Sequence, residues 1–146
     1  MSWRGIGAFL LFVVVYMVVT PAADVAGYYA VDNPAGRKVI DLFGGHNNAQ
    51  AIVGVVATVF GSIVGIAVAM IANTLIMEER PGRAIGVAFI LLQVAQSLMF
   101  LIALSGELKR ADILTDPLLF RGWVACVVAW VAFRLPPFKR PAPLPS

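Results

Sequence analysis

Residues 50–77, QAIVGVVATVFGSIVGIAVAMIANTLIM, contain no charged side chain. They form the inner part of a longer uncharged run, Leu42 to Met77, bounded by Asp41 and Glu78. An α-helix rises about 1.5 Å per residue and the hydrocarbon core of a bilayer is about 30 Å thick, so about 20 apolar residues suffice to cross it. From Gln50 this run reaches about 42 Å, so it must tilt or project beyond the hydrocarbon. The rest of the chain agrees with a lipid-solvated fold. Of its 146 residues, 60% are hydrophobic and 13% charged, against about 45–50% and about 25% in a soluble domain. A disordered chain is excluded by the same figures, and a disulfide scaffold by the single cysteine, Cys126. The net charge of +3 is spread over scattered Lys and Arg with no basic cluster, which argues against nucleic acid as a partner.

Working outward, three further segments have the length or composition of a span. Residues 3–20 are apolar apart from Arg4, with Trp3 and Arg4 suited to a headgroup layer. Residues 84–105 are uncharged. Residues 118–135 are the weakest, because Arg121 and Arg134 bracket only twelve uncharged residues, and both must snorkel along their aliphatic stems toward opposite headgroups. The sequence therefore predicts an all-α integral membrane protein of four transmembrane helices, spans 3–20, 50–77, 84–105 and 118–135, in one domain over residues 1–135. Pro81 and Gly82 in Glu78-Glu79-Arg80-Pro81-Gly82-Arg83 predict a tight turn, making the second and third spans an antiparallel hairpin.

The first connection, Pro21 to Ala49, reads as a long loop that mixes Tyr28, Tyr29, Val31, Val39, Ile40, Leu42 and Phe43 with polar residues, a composition suited to the membrane interface or to the chain's own helix ends. Residues 136–146 carry five prolines, and Pro136, Pro137, Phe138, Pro141, Pro143 and Pro145 predict an extended tail that docks along another subunit or folds back on its own helices. Residues 6–19 followed by Thr20-Pro21-Ala22-Ala23 also resemble a cleavable signal; the expectation is a retained helix. With four spans and the N-terminus in the cytoplasm, Arg4, Arg80, Arg83, Arg134, Lys139 and Arg140 lie inside, against Arg37, Lys38, Lys109, Arg110 and Arg121 outside. The balance favours both termini in the cytoplasm of, by expectation, a bacterial cell.

Helix association in lipid depends on close backbone approach and interhelical hydrogen bonds. In the second span Ala57, Gly61, Gly65, Ala69 and Asn73 recur every four residues, forming one narrow face of a helix. Gly122, Ala125, Ala129 and Ala132 form a shorter counterpart in the fourth. These are candidate packing faces, within the chain or toward a partner. In the third span Gln93, Gln96 and Ser97 must face protein or water. They either tie helices together or line a polar path.

Reactive chemistry is sparse. On this reading no Asp or Glu lies inside a span; Glu78, Glu79, Glu107 and Asp116 fall at helix ends. That argues against a proton- or sodium-coupled machine. The one histidine, His46, is a weak candidate ligand for a haem or pigment metal. Cys126 has no cation nearby in the sequence to activate it. No hydrolase constellation, phosphate-cradling loop or metal set is present, so neither an enzyme nor any cofactor beyond bound lipid is expected. Two functions remain in front. One is a structural or accessory subunit of a larger membrane assembly, with other membrane proteins or copies of itself as partners. The other is a homo-oligomeric pore or small transporter, whose few spans, short loops and basic end are similar to the general make-up of phage holins, a compositional likeness that transfers no residues. A binder of lipid, quinone or pigment is the third.

Overall fold

The computed structural model describes residues 3–42, 49–77, 81–104 and 117–134. Five helices run α1 (Trp3–Val31), α2 (Pro34–Leu42), α3 (Ala49–Met77), α4 (Arg83–Leu104) and α5 (Pro117–Ala132). Of these α1, α3 and α4 are long and apolar enough to cross a membrane, and α5 is shorter. The protein is accordingly an all-helical membrane protein. The spans expected second, third and fourth are α3, α4 and α5.

The first correction concerns the long first loop, because α1 does not stop at Thr20. It continues through Pro21 for another ten residues to Val31, and after a two-residue bend α2 takes up most of what remains. Proline inside a helix removes one hydrogen bond and crowds the preceding turn, yet membrane helices tolerate it where neighbouring helices compensate. Here the compensation is α3. A Cβ on Gly27 would lie 3.4 Å from the Cα of Ala57 and 3.0 Å from the Phe60 ring, so the last turns of α1 press closely on the start of α3. Asn33 then separates the two helices. Its side-chain oxygen accepts from the backbone N–H groups of Ala35 and Gly36, each at 3.0 Å, with Pro34 at the first helical position, an N-cap that starts α2. Of the apolar residues of α2, Ile40 is buried, whereas Val39 and Leu42 are exposed and Arg37 pairs with Asp32 at 2.7 Å. That division suits a short helix lying at the membrane surface.

The expected hairpin of the second and third spans is not confirmed, and Glu78, Glu79 and Arg80 of its turn lie outside the described residues. The helices that pack are α1 on α3, α4 on α5, α3 on α5 and, more lightly, α1 on α4. Around the bundle the order is therefore α1, α3, α5, α4, which puts α3 and α4 across from each other despite their short connection. The antiparallel partner of α3 is α1. Asn73 donates to the Ala8 carbonyl at 2.6 Å, and Arg4 to the Met77 carbonyl at 3.3 Å, while further along α1 Asp24 meets Gly61 and Gly27 meets Ala57. Likewise α4 and α5 run antiparallel, with Gly86 against Phe133 and Ser97 against Gly122. The reason is geometric: the glycine-bearing face of α3 fits α1, and a connection only a few residues long fixes where α4 begins without fixing which neighbour it touches.

The apolar core lies toward the end of the bundle where α1 begins. Phe12 and Phe89 are fully buried edge to face, 5.2 Å between ring centres, and Phe89 meets the Tyr16 ring at 4.8 Å and Phe12 the Phe133 ring at 5.6 Å. Ala69, Ala125 and Ala129 let the backbones close around these rings. Leu10, Val14, Ile71, Leu91, Met99 and Val127 point outward, as lipid-facing residues should. At the far end of α5 the Arg134 guanidinium lies 3.9 Å over the Trp130 ring, an interface-type anchor.

Candidate functional site

The continuation of α1 past Pro21 carries Asp24 into the bundle, and this overturns the expectation that no carboxylate lies inside a span. Asp24 sits on the α1 face that packs on α3, level with Gly61, close to the middle of that helix. Its Oδ2 accepts from an Nη of Arg121 on α5, and the pair is an ion pair across the bundle. Only 13% of the Asp24 side chain is exposed, against 36% for Arg121. The arginine expected to snorkel toward a headgroup therefore spends its charge on an internal partner.

The glycines of α3 make this possible. A Cβ on Gly61 would overlap the Asp24 carboxylate, and one on Gly65 would overlap the Thr20 hydroxyl and touch the Tyr16 ring at 3.2 Å. Each glycine thus houses a polar group of α1 where any other residue would exclude it. Around them lies a cluster of polar atoms. Tyr16 Oη, Thr20 Oγ1, Asp24 Oδ1 and Ser62 Oγ are all buried without a hydrogen-bond partner, although the Tyr16 hydroxyl lies beside Ser62 and Thr20. The three hydroxyls are neighbours that can share hydrogen bonds, whereas Asp24 Oδ1 is left bare, at a cost of about 1–3 kcal/mol for such an atom.

Beside the cluster is a half-open cavity of about 390 Å³ between α1, α4 and α5, within the range of small-molecule sites. Arg121, Gln93, Gln96, Ser97, Tyr16 and Thr20 supply its polar groups, and Met17, Pro21, Phe100, Leu119 and Gly122 complete the walls. Pro21 has no N–H to give the Met17 carbonyl, so the helical hydrogen bond is missing at the wall itself. Ser97 donates to the Gln93 carbonyl at 2.9 Å, and a Cβ on Gly122 would come within 2.6 Å of the Ser97 hydroxyl. The serine therefore bonds along its own helix and lies at a close contact between α4 and α5.

The residues singled out in the sequence divide clearly. Ala57, Gly61, Gly65, Ala69 and Asn73 are all buried within the chain, on the face that meets α1. Gly122, Ala125 and Ala129 are buried too, and Ala132 is half-buried. Gln93, Gln96 and Ser97 come together on the cavity. Cys126 is half-buried, its thiol 3.9 Å from the Ile90 carbonyl. His46 and the tail residues Pro136, Pro137, Phe138, Pro141, Pro143 and Pro145 lie outside the described residues, as do Glu78, Glu79, Glu107 and Asp116. Among the described residues no three His, Cys, Asp or Glu side chains gather as a metal site.

Sequence reasoning missed Asp24, Thr20 and Tyr16. The signal was present: Ala8, Phe12, Tyr16, Thr20 and Asp24 recur every four residues straight through Pro21, in step with the Gly61–Gly65–Ala69–Asn73 stripe that faces them. Comparison with protein-family models, with curated proteins and with solved structures finds no match to this chain.

Proposed function

We propose that this protein is a four-span membrane protein that acts as a small transporter or pore for a polar solute, with α5 as the fourth span. The observation that carries the reading is the half-open, mostly apolar cavity with Arg121, Gln93, Gln96 and Ser97 on its wall, beside the Asp24–Arg121 pair. Ionisable groups inside spanning helices are rare and are characteristic of ion and substrate pathways. At 16 residues α5 reaches about 24 Å, a little short of the hydrocarbon, but Arg121 is neutralised internally and Arg134 anchors on Trp130, so neither charge opposes insertion. Both termini then lie in the cytoplasm, in keeping with the Lys and Arg balance, and a bacterial cytoplasmic membrane is the host we assign. The chemistry is non-enzymatic and needs no metal.

The test is flux from proteoliposomes loaded with small polar solutes or dye. Flux that is present for the intact protein and lost in Gln93→Leu supports the reading, and silence from the intact protein counts against it.

A second reading, the accessory subunit, has a different surface to draw on. The small-residue faces of α3 and α5 are taken up inside the chain, which leaves the outward apolar face of α5, with Trp123, Val127 and Trp130. A stoichiometric membrane partner retained in mild detergent, and lost on Trp123→Ala, would support that role over transport.

A further inference from the structure

The charge of the solute follows from the pair that guards the cavity, an inference that rests on the transporter reading and sharpens it. Arg121 and Asp24 cancel each other, and the pair is held at one carboxylate oxygen only. Oδ2 meets Arg121, while Oδ1 is buried over Gly61 with no hydrogen-bond partner. An ionised carboxylate is poorly compensated when half of it is bare in a low-dielectric interior. Arg121 holds five N–H donors in a planar fork, and its partly exposed guanidinium stands at the cavity wall with Gln93, Gln96 and Ser97 around it.

An anion that entered while Asp24 stayed ionised would place two negative charges against one positive charge away from water, an arrangement that like-charge repulsion disfavours. The balance is kept if one proton arrives with it. The proton bonds to the Asp24 carboxylate, the neutral acid releases Arg121, and the incoming anion takes the freed guanidinium, so the net charge of the site is unchanged. Asp24 is the group that accepts the proton. Arg121 from α5 meets it directly, and the further titratable groups of this region are Tyr16 from α1 and Cys126 from α5, which lie near each other. From α3 it meets Gly61, and the cavity side of α4 presents Gln93, Gln96 and Ser97, none of them charged.

One exchangeable carboxylate limits the ligand to a single negative charge, and Arg121, which already pairs with the Asp24 carboxylate, also stands on the cavity wall. The remaining walls, Met17, Pro21, Phe100 and Leu119, offer a hydrocarbon surface. We propose that the cavity binds a monocarboxylate with an apolar tail on Arg121, together with one proton on Asp24.

The full chain in lipid nanodiscs provides the test, with radiolabelled butyrate as a water-borne acid and dodecanoate as a bilayer-borne one. Binding of either acid should take up one proton per carboxylate, read with a pH dye in weak buffer. Affinity should fall about tenfold per pH unit between about pH 6 and about pH 8, the slope that one linked proton imposes. Asp24→Asn should abolish the proton uptake and bind at least tenfold more tightly than the natural protein at the upper pH, and Arg121→Gln should lose binding. Binding of dodecanoate alone assigns the acid to the bilayer, and binding of butyrate as well assigns it to water, both in support. Absence of binding for both acids by the natural protein overturns the proposal, and so does binding without proton uptake, measurements that need no variant to fold. Vesicles that leak other polar solutes through a protein that binds no carboxylate would retain the transporter reading while refuting this inference. Proton-linked binding without flux would do the reverse.

Discussion

The two ends of the bundle are built on opposite principles. Toward the start of α1, Phe12, Phe89 and Phe133 interlock over a floor of alanines with no charged group among them, and the nearby polar residue Asn73 donates to the Ala8 carbonyl while its own Oδ1 stays unpaired. Toward the α2 end, the same four helices enclose Asp24, Arg121 and a set of buried hydroxyls gathered beside one another. The first arrangement makes dispersion contacts and close backbone approach, which are the means by which helices associate in lipid. The second burdens the same helices with desolvated polar atoms. A buried ion pair seldom stabilises more than well-packed apolar residues would, so the polar end is where a requirement other than stability shows.

Breaking either end should therefore give opposite patterns. Phe89→Ala empties the centre of the aromatic end and should destabilise the protein most, by about 3–5 kcal/mol, measured by denaturant unfolding in detergent. Asp24→Leu leaves Arg121 without its partner and should cost about 3 kcal/mol, the low end for a broken pair because Arg121 still reaches the cavity. The double variant Asp24→Leu with Arg121→Met should recover most of that loss. If the double variant is as unstable as the single, the polar end is structural after all and the contrast fails. Gly65→Ala forces a Cβ into the Thr20 hydroxyl and the Tyr16 ring and should cost about 1–3 kcal/mol; pairing it with Thr20→Ala should relieve part of the clash. Smallest is Asn33→Ala, which removes the cap of α2 and should cost about 1 kcal/mol, read as loss of amide-exchange protection in α2 alone.

How legible this was in the sequence differs between the two ends as well. The apolar runs at 50–77 and 84–105 were plain, because a membrane-length stretch without charge has few other physical solutions. The glycine stripe on α3 was plain as a packing face. Its partner was not, because the residue types of a small face say that something comes close and not what. Pro21 hid the polar end. Local rules end a helix near a proline, but the close contact of Gly27 with Ala57 and Phe60 rewards one that continues, and this moved Asp24 from an expected loop into the bundle. Arg121 was misjudged for the same reason, since snorkelling is the expected escape only when no internal carboxylate is in reach.

What the sequence determined by itself is the solvent: enough apolar length, interrupted so rarely by charge, must fold as helices in lipid, because backbone groups in hydrocarbon have to bond within their own helix. Which helices neighbour one another, and hence which charges meet, was decided only in three dimensions. Position 24 and position 121 are separated by almost the whole bundle in sequence, and no local pattern relates them. They pair because α1 runs on past its proline, two glycines of α3 leave room for the polar atoms of α1, and α5 comes back antiparallel at the height where its arginine can reach the carboxylate.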